Sequence, residues 1–120
     1  MRSKWIEYKG KQIFYQDFSN WFYNSEAVKN ELAEVQAVVK SQPPKSALVL
    51  SDFRNTNVGS DLLPVLNAAS KETVGHVKWT AVLGVTGIKR TLADLLTQLT
   101  GQPLKYFDDE ITAKEWLTRE

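Results

Sequence analysis

Cysteine is absent from the 120 residues. That removes disulfides, thiolate metal sites and cysteine nucleophiles from consideration. Histidine occurs once, at His76, so no histidine-based metal cluster can form around it. A net charge of one sign is also missing, with 15 basic residues against 14 acidic ones. A strong electrostatic hold on nucleic acid or an anionic membrane has no support in such a balance. No stretch approaches the roughly 20 apolar residues that a membrane span needs. The opening MRSKWIEYKG lacks the apolar centre of a signal peptide. A single cytoplasmic α/β domain covering residues 1–120 is the expectation, with a core large enough to need no covalent or metal staple.

What is present is organised around ALVLSDFRNTNVGSDLLPVL, residues 47–66. Ala47-Leu48-Val49-Leu50 is a continuous apolar run, suited to a strand covered on both faces. Pro43 and Pro44 bar a helix from running into it. Asp52 ends the run, and Arg54-Asn55-Thr56-Asn57 is turn chemistry. Gly59-Ser60-Asp61 predicts a helix start capped by Ser60 or Asp61, with Pro64 in the first turn. The stretch should therefore carry polar side chains to solvent beside unpaired helix amides.

The remaining chain alternates in type. Lys4 to Lys9 and Lys11 to Phe18 predict a hairpin with a tight turn at Gly10. Ser25 is the expected cap of a helix whose Val28, Leu32, Val35 and Val39 form one stripe, with Glu26 in its first turn. Val77 to Leu83 predicts another strand. Ile88, Leu92, Leu95 and Leu99 repeat the helical stripe, with Gly101 as a C-terminal cap. Pro103 to Phe107 predicts a short last strand. Asp108-Asp109 should cap a final helix containing Ala113, Trp116 and Leu117. The expected order is β-β-α-β-α-β-α-β-α, a mixed and mostly parallel sheet flanked by helices.

On these segments the chain resembles the STAS domain family, and more closely its SpoIIAA-like branch. The residues that carry the resemblance are Ala47 to Asp52 with the loop after it, His76 to Gly84, and Tyr106-Phe107-Asp108-Asp109 followed by Ala113, Trp116 and Leu117. The resemblance implies a SpoIIAA-like fold with a four- or five-stranded sheet. It also implies a regulatory protein–protein interaction, bacterial anti-sigma-factor antagonism, controlled by phosphorylation of a serine at the start of the central helix. The family pattern there is aspartate, serine, serine or threonine, glycine. This chain has Asn57 at the aspartate and Val58 at the phosphorylated serine, which leaves Ser60 or Thr56 to accept a phosphate. The branch is also compared with lipid-binding SEC14-like domains.

Each candidate has a plainer reading. Ser60 could accept a phosphate at a helix N-terminus or serve only as a cap. Asp52 and Arg54 could be a binding pair or a surface salt bridge. Trp21-Phe22-Tyr23 could line a ligand or partner contact, or pack on the sheet. Eight of the chain's aromatics precede Asn24, so this cluster is dense. Gly84-Val85-Thr86-Gly87, followed by Lys89 and Arg90, could cradle an anion but lacks the longer nucleotide-loop pattern. His76 is expected to end a turn. No nucleophile, base and oxyanion donor assemble, so an enzyme is the least favoured class.

The expectation is therefore a non-catalytic module that binds a protein through Asp52, Arg54, Asn55, Thr56, Asn57, Gly59 and Ser60. The alternative is a carrier or sensor of a small apolar ligand, held between the aromatic N-terminal segment and the helices. Neither needs a cofactor or metal. The first hairpin also offers an edge on which a homodimer could form.

Overall fold

The computed structural model describes residues 1–85 and 104–119. Five strands lie side by side in chain order: β1 (Lys4–Tyr8), β2 (Lys11–Asp17), β3 (Ala47–Asp52), β4 (Val77–Leu83) and β5 (Leu104–Phe107). β1 and β2 are antiparallel, and every later pairing is parallel. The sheet is therefore mixed, as the hairpin followed by alternating elements implies. Lys9 and Gly10 form the hairpin turn with φ of 52° and 79°. Two consecutive positive φ values match the right-handed twist of the flanking strands.

Three helices are described. α1 (Ser25–Lys40) and α2 (Leu63–Thr73) lie on one face, and α3 (Glu110–Leu117) lies on the other. The β2–α1–β3 and β3–α2–β4 crossovers run in the same direction along the sheet, so crossovers of one hand place α1 and α2 together. The stripe Val28, Leu32, Val35 and Val39 is buried as its spacing requires. Each such side chain contributes roughly 1.5–3 kcal/mol on burial. The second predicted stripe, Ile88 to Leu99 with Gly101, lies outside the described residues.

β3 is buried along its whole length. Its residues alternate: Ala47 and Val49 join the α1/α2 side, while Leu48 and Leu50 join the α3 side. The unbroken apolar run is the direct consequence of cover on both faces.

The helix starts differ from expectation in two places. Asn24, not Ser25, caps α1, its side chain accepting from the Ala27 amide at 3.1 Å. Ser25 Oγ instead donates to Asp61 at 2.6 Å. α2 begins at Leu63, and no side chain caps it. Ser60 and Asp61 lie in a turn before it, closed by the Leu62 and Leu63 amides on the Gly59 carbonyl. Leu62 is buried, and drawing it into the core sets the turn ahead of the helix. Pro64 falls in the first turn as predicted.

Asp109 caps α3, accepting from the Thr112 amide at 2.7 Å. Trp116 then rests against Trp79 and Phe107, with ring centroids 5.8 and 5.4 Å away. The Arg119 guanidinium lies 3.6 Å over the Trp79 ring. Asp109→Ala should lower stability by about 1 kcal/mol, because it strips the N-terminal side-chain cap from a short helix. A thermal melt unchanged by this substitution would contradict that role.

A loop pair at the carboxyl ends of the strands

β2, β3 and β4 end together, at Asp17, Asp52 and Leu83. The loops that follow continue the sheet's hydrogen bonding beyond the strands. The Phe18 amide donates to the Asp52 carbonyl at 3.0 Å, and the Phe53 amide to the Leu83 carbonyl at 2.9 Å. Phe18 and Phe53 stack with centroids 4.8 Å apart.

The first two loops are then laced together. Asn20 donates from its amide to the Arg54 carbonyl, and Phe22 to the Asn55 carbonyl. The Asn57 amide returns a bond to the Phe22 carbonyl at 2.6 Å. Thr56 Oγ1 donates to the Phe18 carbonyl at 2.5 Å and accepts from the Trp21 amide at 3.0 Å. The Asn55 side chain donates to Asn20 Oδ1 at 2.8 Å. Irregular backbone that would otherwise leave polar groups unmatched is thus paired within the edge.

This lacing costs backbone strain. Asn20, Phe22 and Asn55 all have positive φ, at 60°, 50° and 59°. Asparagine tolerates this region, but an aromatic residue there is an outlier costing roughly 1–2 kcal/mol. Phe22 is nonetheless 61% exposed, and Tyr23 is 83% exposed. Only Trp21 packs inward, half-buried beneath the Arg2 guanidinium at 3.7 Å. The reading in which this segment packs on the sheet therefore holds for Trp21 and fails for Phe22 and Tyr23, since the left-handed turn points the chain out of the core.

The predicted contact residues divide into two sets. Arg54, Asn55 and Ser60 are exposed, while Asn57 and Gly59 are half-exposed. Asp52 and Thr56 are buried. Thr56 faces inward because both of its oxygen's bonds are to the neighbouring loop. Val58 is 4% exposed and packs in the α1/α2-side core.

Asp52 and Arg54 are more than a surface pair. Asp52 is 1% exposed, and Arg54 is 44% exposed. Arg54 grips the carboxylate with Nε at 3.0 Å and Nη2 at 2.8 Å, and its amide donates at 2.9 Å. The Tyr15 hydroxyl adds a fourth bond at 2.6 Å. Arg54 also reaches Glu110 on α3 at 3.0 Å, and Lys114 holds the other Glu110 oxygen at 2.7 Å. Burial alone pushes the Asp52 carboxyl up, but the bonds from Arg54 and Tyr15 more than offset it and hold it below the ordinary range. Burial, then the bond to Asp52, pushes the Tyr15 hydroxyl well up. A carboxylate holding four donors acts as a brace that ties β2, β3 and α3 together, with little capacity left to act as a base.

Gly84 closes the edge from the third side. Its φ is +87°, and a Cβ there would lie 2.4 Å from the Arg54 amide nitrogen. Backbone therefore packs on backbone where the sequence suggested an anion cradle. The rest of that motif, Thr86, Gly87, Lys89 and Arg90, lies outside the described residues. His76 ends a short 3-10 turn ahead of β4, its Nδ1 2.8 Å from the Gln42 carbonyl oxygen. Tyr15, Asn20 and Glu110 belong to this region but were not predicted. Only Asn20 left a signal, as a left-handed-tolerant residue beside the aromatic run.

No described helix is long and apolar enough to cross a membrane. Among the described residues, no group of three or more His, Asp or Glu side chains could hold a metal ion. No protein-family model, curated protein or solved structure matches this chain.

Proposed function

We propose that the chain is a non-catalytic interaction module of the STAS kind, which binds a protein partner through the carboxyl-end loop pair. Phe22 and Tyr23 would enter the partner, and Arg54, Asn55 and Ser60 would form the polar rim. The observation that carries the reading is Phe22, an exposed ring on a strained, left-handed backbone. Strain of this kind persists where surrounding structure holds it, and it clusters at binding sites. Aromatic anchors with a polar rim are also the common anatomy of protein interfaces. The bracing of Asp52 and Arg54 favours a presenting role for the edge over a reacting one.

Regulation by a charge fits the same edge. Ser60 is exposed in the turn before α2, next to Asp61. A phosphate there would add about two negative charges to the rim. Ser60→Asp should therefore change capture of the partner from lysate.

The sharper test uses Phe22→Asn. Asparagine accepts the backbone conformation, so stability should stay level or rise by up to about 1 kcal/mol. Loss of an anchoring ring should reduce partner capture roughly 30-fold. Equal capture by the folded variant and the parent would defeat the reading.

A further inference from the structure

β1 is an outer strand of the sheet, paired with β2 on one side and with no described strand on the other. Its pairing with β2 fixes which backbone groups the outer side carries. The two-residue turn at Lys9 and Gly10 closes on a hydrogen-bonded pair, Tyr8 with Lys11. Bonded and non-bonded pairs alternate along an antiparallel ladder. Lys4 and Ile6 therefore also bond to β2, while Trp5 and Glu7 turn their amides and carbonyls outward.

Nothing in this strand blunts the edge. Its pairing with β2 runs over five residues without a bulge or a proline. Its two charged residues, Lys4 and Glu7, are of opposite sign. Trp5 is 39% exposed, although its ring lies 5.0 Å from that of Phe14. Ile6 and Tyr8, on the α3 side, are only partly buried.

The edge is complementary to itself in one register. Two-fold pairing about Ile6 sets Trp5 of each copy opposite Glu7 of the other, so all four outward residues exchange their bonds. It also sets Lys4 opposite the Tyr8 ring, and an indole N–H opposite a carboxylate. The neighbouring registers fail. Pairing about Glu7 puts two carboxylates face to face and enlists Lys9, which leaves the strand conformation with φ of 52°. Pairing about Trp5 enlists Ser3, whose amide already donates to Glu31 at 2.8 Å. We infer that β1 pairs antiparallel with β1 of a second copy, about Ile6, and so joins the two sheets into one. Five residues a side make a small interface, so the dimer depends on concentration. The inference does not rest on the loop-pair reading.

Sedimentation equilibrium of the full chain tests the dimer, and cysteine cross-linking tests its register. The parent's mass should rise with concentration from 13.6 kDa towards twice that value. Glu7→Pro removes an outward amide and no bond to β2, so it should fold and stay monomeric. The chain has no cysteine of its own, so single cysteines report without interference. Ile6→Cys falls opposite its own counterpart, with Cα atoms about 4.5 Å apart and within disulfide reach. Lys4→Cys falls roughly 14 Å from its counterpart, four residues along the strand and out of reach. Mild oxidation should therefore link the Ile6→Cys chain about tenfold faster or more.

A parent that stays monomeric at every concentration would overturn the inference. So would a Glu7→Pro dimer as strong as the parent's, or a Lys4→Cys chain that links as fast as Ile6→Cys. If Glu7→Pro does not fold, the two cysteine variants decide the matter on their own.

Discussion

Gly84→Ala should lower stability by about 2–4 kcal/mol, combining a disfavoured backbone region with overpacking. The position has φ of +87°, and its Cβ would lie 2.4, 2.5 and 2.7 Å from atoms of the Phe53–Arg54 backbone. Those atoms cannot swing aside as a side-chain tip would. The Phe53 amide is bonded to the Leu83 carbonyl, and the Arg54 amide to the Asp52 carboxylate. Displacing them would pull on the sheet extension and on the Asp52 brace together. Two other glycines provide the comparison. Gly10 has φ of +79° but open space around it, so Gly10→Ala should cost only about 1 kcal/mol. Gly75 has neither feature, and Gly75→Ala should be neutral or slightly stabilising. Urea unfolding midpoints should rank the three in that order, with Gly84→Ala shifted by roughly 1–2 M. A midpoint for Gly84→Ala equal to that of Gly75→Ala would show that the loops do not meet at Gly84.

Asp52→Ala should cost about 2–4 kcal/mol. It removes the acceptor of four hydrogen bonds and leaves the Tyr15 hydroxyl and the Arg54 guanidinium facing an apolar gap. Arg54 is partly exposed and stays hydrated, which keeps the loss below that of a fully buried ion pair. The pH dependence follows from the direction of the Asp52 shift. Its folded-state carboxyl is held below the ordinary 3.8. Such a group contributes its full stabilisation above the unfolded value and loses it as pH falls through the folded one. The parent should therefore lose stability below about pH 4, along with contributions from Glu31 and Glu110, whose carboxyls are also held low. Asp52→Asn lacks one of these contributions. The stability gap between parent and Asp52→Asn should narrow as pH falls from 7 to 3. A gap that is constant or that widens would mean the carboxylate is not the charged form held by Arg54 and Tyr15.

Much of the architecture was legible because it rests on local chemistry. The apolar run at 47–50, the prolines before it and the stripe from Val28 to Val39 each dictate an element without reference to distant residues. Asp109 is a cap for the same reason. The site was less legible, because its members meet only after folding. Asp52 gains its partners from Tyr15, which lies 37 residues earlier, and Arg54 finds Glu110, which lies 56 residues later. Spacing along the chain carries no record of such pairs. Thr56 looked like an exposed turn residue, yet its hydroxyl bridges two loops. The run Trp21-Phe22-Tyr23 left open which rings pack on the sheet, and a single left-handed turn aims Phe22 and Tyr23 at solvent.

The central claim is that β3 delivers a loop that is rigidly laced to its neighbour, with two rings presented outward. Amide hydrogen exchange, resolved by residue, tests this most directly. Leu48 to Asp52 should exchange slowly, as members of a strand covered on both faces. The amides of Asn20, Phe22 and Asn57 should also be protected, although they lie in loops, because each donates across the loop pair. Protection in the strand with free exchange at Asn20, Phe22 and Asn57 would contradict the laced edge and the interaction surface built on it.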